Sequence, residues 1–186
     1  MVWRGQTQGA HMPFSQVWAM YVCNNCGGGV MAAGPLGGGV LDDSEPRFIY
    51  PAPRSAHDDI PSPARRFLQQ AIETLHAPDA AAVMAGAAVD AMLKAKGYDK
   101  GSLYSRIDEA LANHVLTQGM ADWAHSVRLG SNRPRHADLD APHVSAGDAQ
   151  RSVAFAEALG NFLFVLSAQI AEAVDVVAQE DAARVA

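Results

Sequence analysis

The sequence predicts a mainly α protein, a helical bundle of about five helices preceded by a short β-hairpin. Three observations predict it. Apolar residues after position 62 recur at helical spacing in five successive segments. The links between those segments are short, which favours neighbouring antiparallel helices. Most of the glycines lie ahead of position 62, concentrated in CGGGVMAAGPLGGGV (26 to 40), where helices are disfavoured.

The division expected from this shift is a small β segment over 1–47, a linker over 48–61 and a helical bundle over 62–180. FSQVWAMYV (14 to 22) mixes aromatic and β-branched residues and predicts a strand. Gly29 to Ala33 supplies a short returning strand, with the glycines between them making the turn. FIYPAPRSAHDDIPSP (48 to 63) is punctuated by proline and predicts extended linker.

SPARRFLQQAIETLH (62 to 76) opens the helices. Ser62 is its expected N-cap, proline sits in its first turn, and Phe67, Leu68, Ala71, Ile72 and Leu75 form its apolar stripe. PDAAAVMAGAAVDAMLKAKG (78 to 97) runs from Pro-Asp to Gly97. Its small face, including Ala80, Ala87, Ala88 and Ala91, lets another helix approach closely. SLYSRIDEALAN (102 to 113) places Leu103, Ile107 and Leu111 on one side. TQGMADWAHSVRLG (117 to 130) turns Met120, Trp123 or Ala124, and Val127 inward. Pro134 is expected to end this fourth helix. In the fifth, Ser145-Ala-Gly-Asp148 is a capping signal, and Phe155, Leu159, Phe162, Leu166 and Ile170 continue toward Val174 and Val177.

Composition narrows the class. The chain has 186 residues, enough for one domain with a small appendage, and 49% hydrophobic residues supply a core. A net charge of -6 disfavours nonspecific nucleic-acid binding. Two cysteines build no disulfide framework. The N-terminus has no signal-peptide core, and FLFVLSAQIAEAV (162 to 174) is too short to span a bilayer, so a cytoplasmic protein without a membrane partner is expected.

Both cysteines stand in YVCNNCGGG (21 to 29). Cys23-Asn-Asn-Cys26-Gly27 has the spacing of one zinc knuckle, and a structural zinc site takes four ligands. Three readings stay open: a knuckle that no longer binds metal, a site completed by histidines such as His11 and His57 or by a second chain, and a redox pair. A bound zinc would be structural, and otherwise no cofactor is expected.

AAAVMAGAAVDAMLKAKG, SLYSRIDEALAN, ADWAHSVRLGSNRPRH and the capped long helix resemble the family catalogued as domain of unknown function 4145, over roughly residues 60 to 175. VWAMYVCNNCGG (17 to 28) resembles the second knuckle of the zinc ribbon that precedes the helical domain in some relatives, which makes 1–47 a degenerate zinc-ribbon-like segment. That family looks like a branch of the HEPN superfamily of α-helical bundles. The resemblance implies a homodimer and a ligand such as RNA, a nucleotide or a protein partner, in defence or nucleic-acid systems. It implies either a binding or accessory module, a metal-independent ribonuclease, or a structural interaction domain, and leaves enzyme activity open.

WAHSVRLGSNRPRH (123 to 136) carries the resemblance most specifically. The family pattern there is an Arg, then a Gly-Asn segment, then a His after three more residues, and Arg128, Asn132 and His136 sit at matching positions, which makes them the candidate catalytic residues the resemblance implies. Metal-free RNA cleavage needs a proton acceptor and donor, for which histidine suits neutral pH, and a cation for the phosphorane, for which arginine offers a phosphate-matched fork. Arg133 and Arg135 are candidate nucleic-acid contacts. Seven residues separate Arg128 from His136, more than the usual nuclease spacing. Ser131 stands where nucleases place the arginine. His125 and Asp122 are expected to pair on the surface or to face the Arg128 cleft. Asp138, Asp140 and His143 are read as solvated loop residues.

Overall fold

A computed structural model describes residues 1–7, 16–23, 27–35, 46–136 and 143–185. The chain forms two compact units, Met1–Arg54 and Ser55–Ala186.

The first unit is a four-stranded antiparallel sheet in the order β1-β2-β3-β4, comprising β1 (Trp3–Thr7), β2 (Gln16–Val22), β3 (Gly29–Pro35) and β4 (Phe48–Tyr50). The expected hairpin is its centre: Val17 lies opposite Gly34 and Ala19 opposite Ala32, and all four are buried. Small side chains dominate this face. Two further strands join the hairpin. Gly5 makes room for the Trp3 indole, since a Cβ at position 5 would lie 2.2 Å from its ring. Phe48–Tyr50, expected within a linker, pairs with Ala33, Ala32 and Met31.

The second unit is the bundle: α1 (Ala64–Glu73), α2 (Pro78–Ala95), α3 (Leu103–Ala112), α4 (Gln118–His136), α5 (Ala146–Gly160) and α6 (Leu166–Val185). A π-helical turn, Asn161–Val165, joins α5 to α6 without a break. The mainly α class is as the helical periodicity indicates. The 48–61 segment serves both units. Its Ile60 is fully buried in the bundle core, and the Ala56 amide donates to Gln69 Oε1 over 2.9 Å.

Helix α2 lies at the centre, packed against α1, α3, α4 and α5. Its buried residues surround most of its circumference: Ala81, Ala82, Ala85, Gly86, Ala88, Val89, Ala91, Met92 and Leu93. A helix apolar nearly all round must be a core helix, and small side chains let its neighbours approach. The tightest crossing is with α4. A Cβ on Gly86 would lie 2.5 Å from Ser131 Oγ and 2.6 Å from its Cβ. Ser131 is buried there, its hydroxyl donating to the Arg128 carbonyl over 3.0 Å.

Local signals explain several boundaries. Ser102 caps α3 in a reciprocal pair with Ser105, and Ser145 caps α5 by accepting from the Asp148 amide over 3.1 Å. Gly97, at φ +95, ends α2 in a conformation that suits glycine.

Three expectations are corrected, and one open alternative is decided. Ser62 does not cap α1, whose N-cap is Pro63 without a side-chain bond. Helix α4 runs through Pro134 to His136, because a proline in the last turn forfeits only one backbone bond. Of the two alternatives left open, Trp123 or Ala124, it is Ala124 that is buried, while the Trp123 ring leans on Phe155 at 4.9 Å between centroids.

The apolar stripe of the fifth helix is also not one face. Phe155 and Leu159 are buried, but Phe162, Leu166 and Ile170 are 42%, 46% and 55% exposed. The π turn inserts an extra residue and rotates the register, so Leu163 and Val165 take the inward places. The continuous helix Ala146–Gln179 is long and apolar enough to cross a membrane by length and composition, a length that the 162–174 run did not reveal. Its first half is bundle core.

The Gly86–Ser131 contact makes a stability prediction. Gly86→Ala will lower the unfolding free energy by about 1–3 kcal/mol, the usual cost of overpacking a tight core. Combining it with Ser131→Gly will recover part of that loss, as measured by urea denaturation followed by circular dichroism.

Candidate functional site

Helices α2, α3 and α4, with Phe67 of α1, frame a cleft of about 820 Å³ within the bundle. Gly86, Ala87 and Ala91 of α2 wall it with little bulk, Tyr104 and Arg106 come from α3, and Arg128 and Asn132 come from α4. Arg128 and Asn132 are one turn apart, so the helix repeat puts both on the same face. The cleft thus brings together two of the three residues singled out at the family motif.

Arg106 is the most enclosed cation of the site. Its guanidinium pairs with Asp90 and donates from Nη2 to the Gly101 carbonyl over 2.7 Å and to the Asp99 carbonyl over 3.3 Å. Those bonds tie α3 to α2 and to the turn between them. Asp90 also holds Lys94, 2.6 Å away at i+4. One carboxylate therefore faces two cations.

Arg128 is differently placed. Its guanidinium carbon stands 5.2 Å from the centre of the Tyr104 ring, a cation–π geometry. Its Nε is buried without a hydrogen-bond partner, and no carboxylate among the described residues pairs with it. His125 also meets Tyr104, with 4.7 Å between the ring centres. His125 Nε2 meets Asp108 Oδ1 at 3.0 Å, and its Nδ1 is buried without a partner. The pattern follows from helix spacing: His125 and Arg128 are three apart on α4, and Tyr104 and Asp108 are four apart on α3. Tyr104 is the rung between them, and it remains 52% exposed at the cleft.

Asp122 is not the partner of His125. It is exposed and accepts a bond from Gln118 over 2.8 Å, four residues before it on the same helix. Tyr104, Arg106 and Asp108 were missed as site residues. Their signal was Tyr-x-Arg-x-Asp, in which Tyr104 and Asp108 share one side of α3 and Arg106 turns to Asp90 of α2, a pattern that names no chemistry without the neighbouring helices.

Arg133 lies on another face. It lines a smaller cleft between α4 and α5 with Asp148 and Arg151. The Asp148 carboxyl is held below the usual carboxylate range, first by the Ser145 hydroxyl, then by Arg151, with Arg133 adding to the field. His136 ends α4, eight residues beyond Arg128, so its backbone is about 12 Å further along the axis. The side chains of Arg135 and His136 fall outside the described residues.

Cys23 follows β2, and its turn closes through its amide to the Gly28 carbonyl at 2.8 Å and the Gly27 amide to its own carbonyl at 2.9 Å. Gly27 takes φ +71, which the turn needs. Cys26 and His11 lie outside the described residues. Among the described residues no three His, Cys, Asp or Glu side chains are grouped to hold a metal. Asp138 and Asp140 also lie outside them, whereas His143 is anchored: its Nδ1 meets Asp79 Oδ2 at 2.8 Å. Asp79 accepts the Val144 amide too, and that bond, followed by His143, lowers its pKa.

The model of a family described only as a domain of unknown function, DUF4145, matches residues 66–175. The chain belongs to the DUF4145 family. The match takes in α1 through the first half of α6, and with them all of the α3–α4 ladder. No curated protein and no solved structure matches the chain.

The lowered pKa of Asp148 sets a pH dependence. A folded-state pKa below the unfolded value, near 3.8, means stability present above that value and lost as pH falls through the folded one. Asp148→Asn will therefore melt at lower temperature than the parent at about pH 7, and the difference will shrink toward about pH 3. Differential scanning calorimetry across that range reads it.

Proposed function

We propose that this DUF4145 protein is a HEPN-like binding module whose α2–α3–α4 cleft takes a nucleotide or the end of a single RNA strand. The observation that carries the reading is Arg128, held against Tyr104 with a buried, unpartnered Nε. A desolvated cation without an acid is costly unless an anion visits it. Arginine suits phosphate, whose oxygens match its fork. Tyr104 offers a half-exposed ring on which a base can stack, an interaction that tolerates any base. Asn132, one turn beyond Arg128, adds an amide for a base edge or a phosphate oxygen. The cleft's volume lies within the range usual for small-molecule sites.

Charge bookkeeping supports the same ligand class. The protein is acidic overall, but Arg106, Lys94 and Arg128 outnumber Asp90 around this cleft. A local excess of positive charge inside an acidic surface draws an anion to one place and discourages coating of long polyanions. The family resemblance makes defence or nucleic-acid systems the proposed setting.

The ribonuclease alternative draws less from the fold. Two turns of helix separate Arg128 from His136 within one chain, and the His125 Nδ1 is closed to solvent. The test therefore separates binding from cleavage. Isothermal titration with AMP, ATP and a short oligoribonucleotide will show binding that falls tenfold or more in Arg128→Ala and Tyr104→Ala, since a charged hydrogen bond is worth about 1.5–3 kcal/mol. Arg128→Lys will retain part of it. Unchanged affinity in both alanine variants, or no binding by the parent, overturns the reading. RNA cleavage in chelator that disappears in His136→Ala would replace it with the nuclease.

A further inference from the structure

A smaller cleft of about 170 Å³ lies between α4 and α5, and we propose that it binds a tetrahedral oxyanion, as free phosphate or as the phosphate end of an ester. The proposal is independent of the ligand assigned to the α2–α3–α4 cleft. Helix spacing builds the site. Ser126, Gly130 and Arg133 stand at i, i+4 and i+7 on α4, and Asp148, Arg151 and Ser152 at i, i+3 and i+4 on α5. The floor is Ser152, which is only 6% exposed. A helical serine commonly bonds a carbonyl one turn back, as the Ser167 hydroxyl does to the Leu163 oxygen over 3.2 Å. Neither Ser152 nor Ser126 makes a side-chain hydrogen bond among the described residues. A buried hydroxyl without a partner calls for one from outside the chain.

Gly130 is the second observation. Glycine weakens a helix interior relative to alanine. At Gly86 the crossing with Ser131 demands it. At Gly130 packing does not: among the described residues an added Cβ would meet only the Ser152 hydroxyl, at 3.9 Å, an ordinary contact distance. What the missing methyl provides is the open space in front of that hydroxyl.

The charges select an anion. Two guanidiniums, those of Arg133 and Arg151, line the cleft with one carboxylate, that of Asp148. Both oxygens of that carboxylate are engaged, Oδ2 by the Ser145 hydroxyl over 2.7 Å and Oδ1 by Arg151. Arg133 is exposed and forms no ion pair among the described residues. Its planar fork matches two oxygens of a phosphate, and the two serine hydroxyls donate to the others. Val127 and Val144 line the cleft with apolar side chains, and hydrogen bonds to a charge gain strength where water is thinned. Size restricts the ligand further. Sites for whole organic molecules usually offer about 300–1,000 Å³, so this one admits a single tetrahedral group and leaves the rest of an ester outside.

Titration of the isotope-labelled full chain with inorganic phosphate and with glycerol phosphate, followed by amide shifts in two-dimensional NMR, tests the site. Ionic strength is held constant with chloride. Phosphate will move the Gly130 and Ser152 amides saturably, and chloride will not. Arg133→Ala and Ser152→Ala will each weaken this binding about tenfold. Gly130→Ala, which fills the space, will weaken it as far while melting no lower than the parent, because the methyl fits and favours the helix. That combination separates a ligand site from a packing contact. Binding of phosphate alone assigns the free ion, and binding of both probes assigns the end of an ester. No saturable shift at these amides, equal shifts with chloride, or unchanged affinity in Gly130→Ala and Ser152→Ala overturns the proposal.

Discussion

The close approach of α2 and α4 at Gly86 and Ser131 is the constraint on which the bundle depends. Side chains elsewhere can yield by rotamer changes, but a Cβ at position 86 would press on a serine already enclosed and bonded to its own helix. The crossing sets the distance between the two helices. Helix α3 then closes against α4 through Leu103, Ile107 and Ala110, and its polar side meets Asp90 of α2 through Arg106. A bulkier residue at this crossing would therefore move Arg128 and Asn132, which lie on the same stretch of α4, away from Tyr104. The core and the cleft share one packing decision.

That decision also explains where the cleft opens. Gly86, Ala87 and Ala91 are too small to fill the space beside α2, so the long side chains of α3 and α4 border it. Long side chains that border a cleft can keep their charges near water while their stems pack. Arg106 completes the transition, since it is largely buried but bonded to a carboxylate and two carbonyls. Arg128 has only an aromatic face. Both keep a buried Nε without a partner, and the difference between them, one paired with a carboxylate and one not, distinguishes a structural cation from one with capacity left.

Periodicity made the helices legible in the sequence. The Ser145 cap, the stop at Gly97 and the central β2–β3 hairpin all rest on local rules, and local rules act through nearest neighbours, whereas of the small face expected on α2 Ala80 is exposed and the close crossing falls at Gly86. The misreadings share a different cause. Phe48–Tyr50 becomes a strand only because β3 offers an open edge, and Ile60 is buried only because α2 and α5 leave a place beside Gly160. Pro134 looks like a breaker until it falls in the final turn. At the site, Arg128 and Asn132 were visible as a motif. Their neighbours Tyr104 and Arg106 lie more than twenty residues earlier, in a segment whose pattern shows only an ordinary amphipathic helix. Pairing across helices is a tertiary fact, and His125 choosing Asp108 over Asp122 is the plainest case of it.

The π turn at Asn161–Val165 works as a phase shift. One surplus residue changes which way the next twenty point without breaking the helix. Upstream, the helix speaks to its own chain; downstream, the same alternation of large and small residues is turned outward. The two roles are thus separable by length alone. A change of one residue in this turn, with every side chain before and after it kept, would leave the bundle's half of the helix in place and re-aim the other half by about a quarter of a revolution. The chain encodes the direction of its outer helix as a count rather than as a composition.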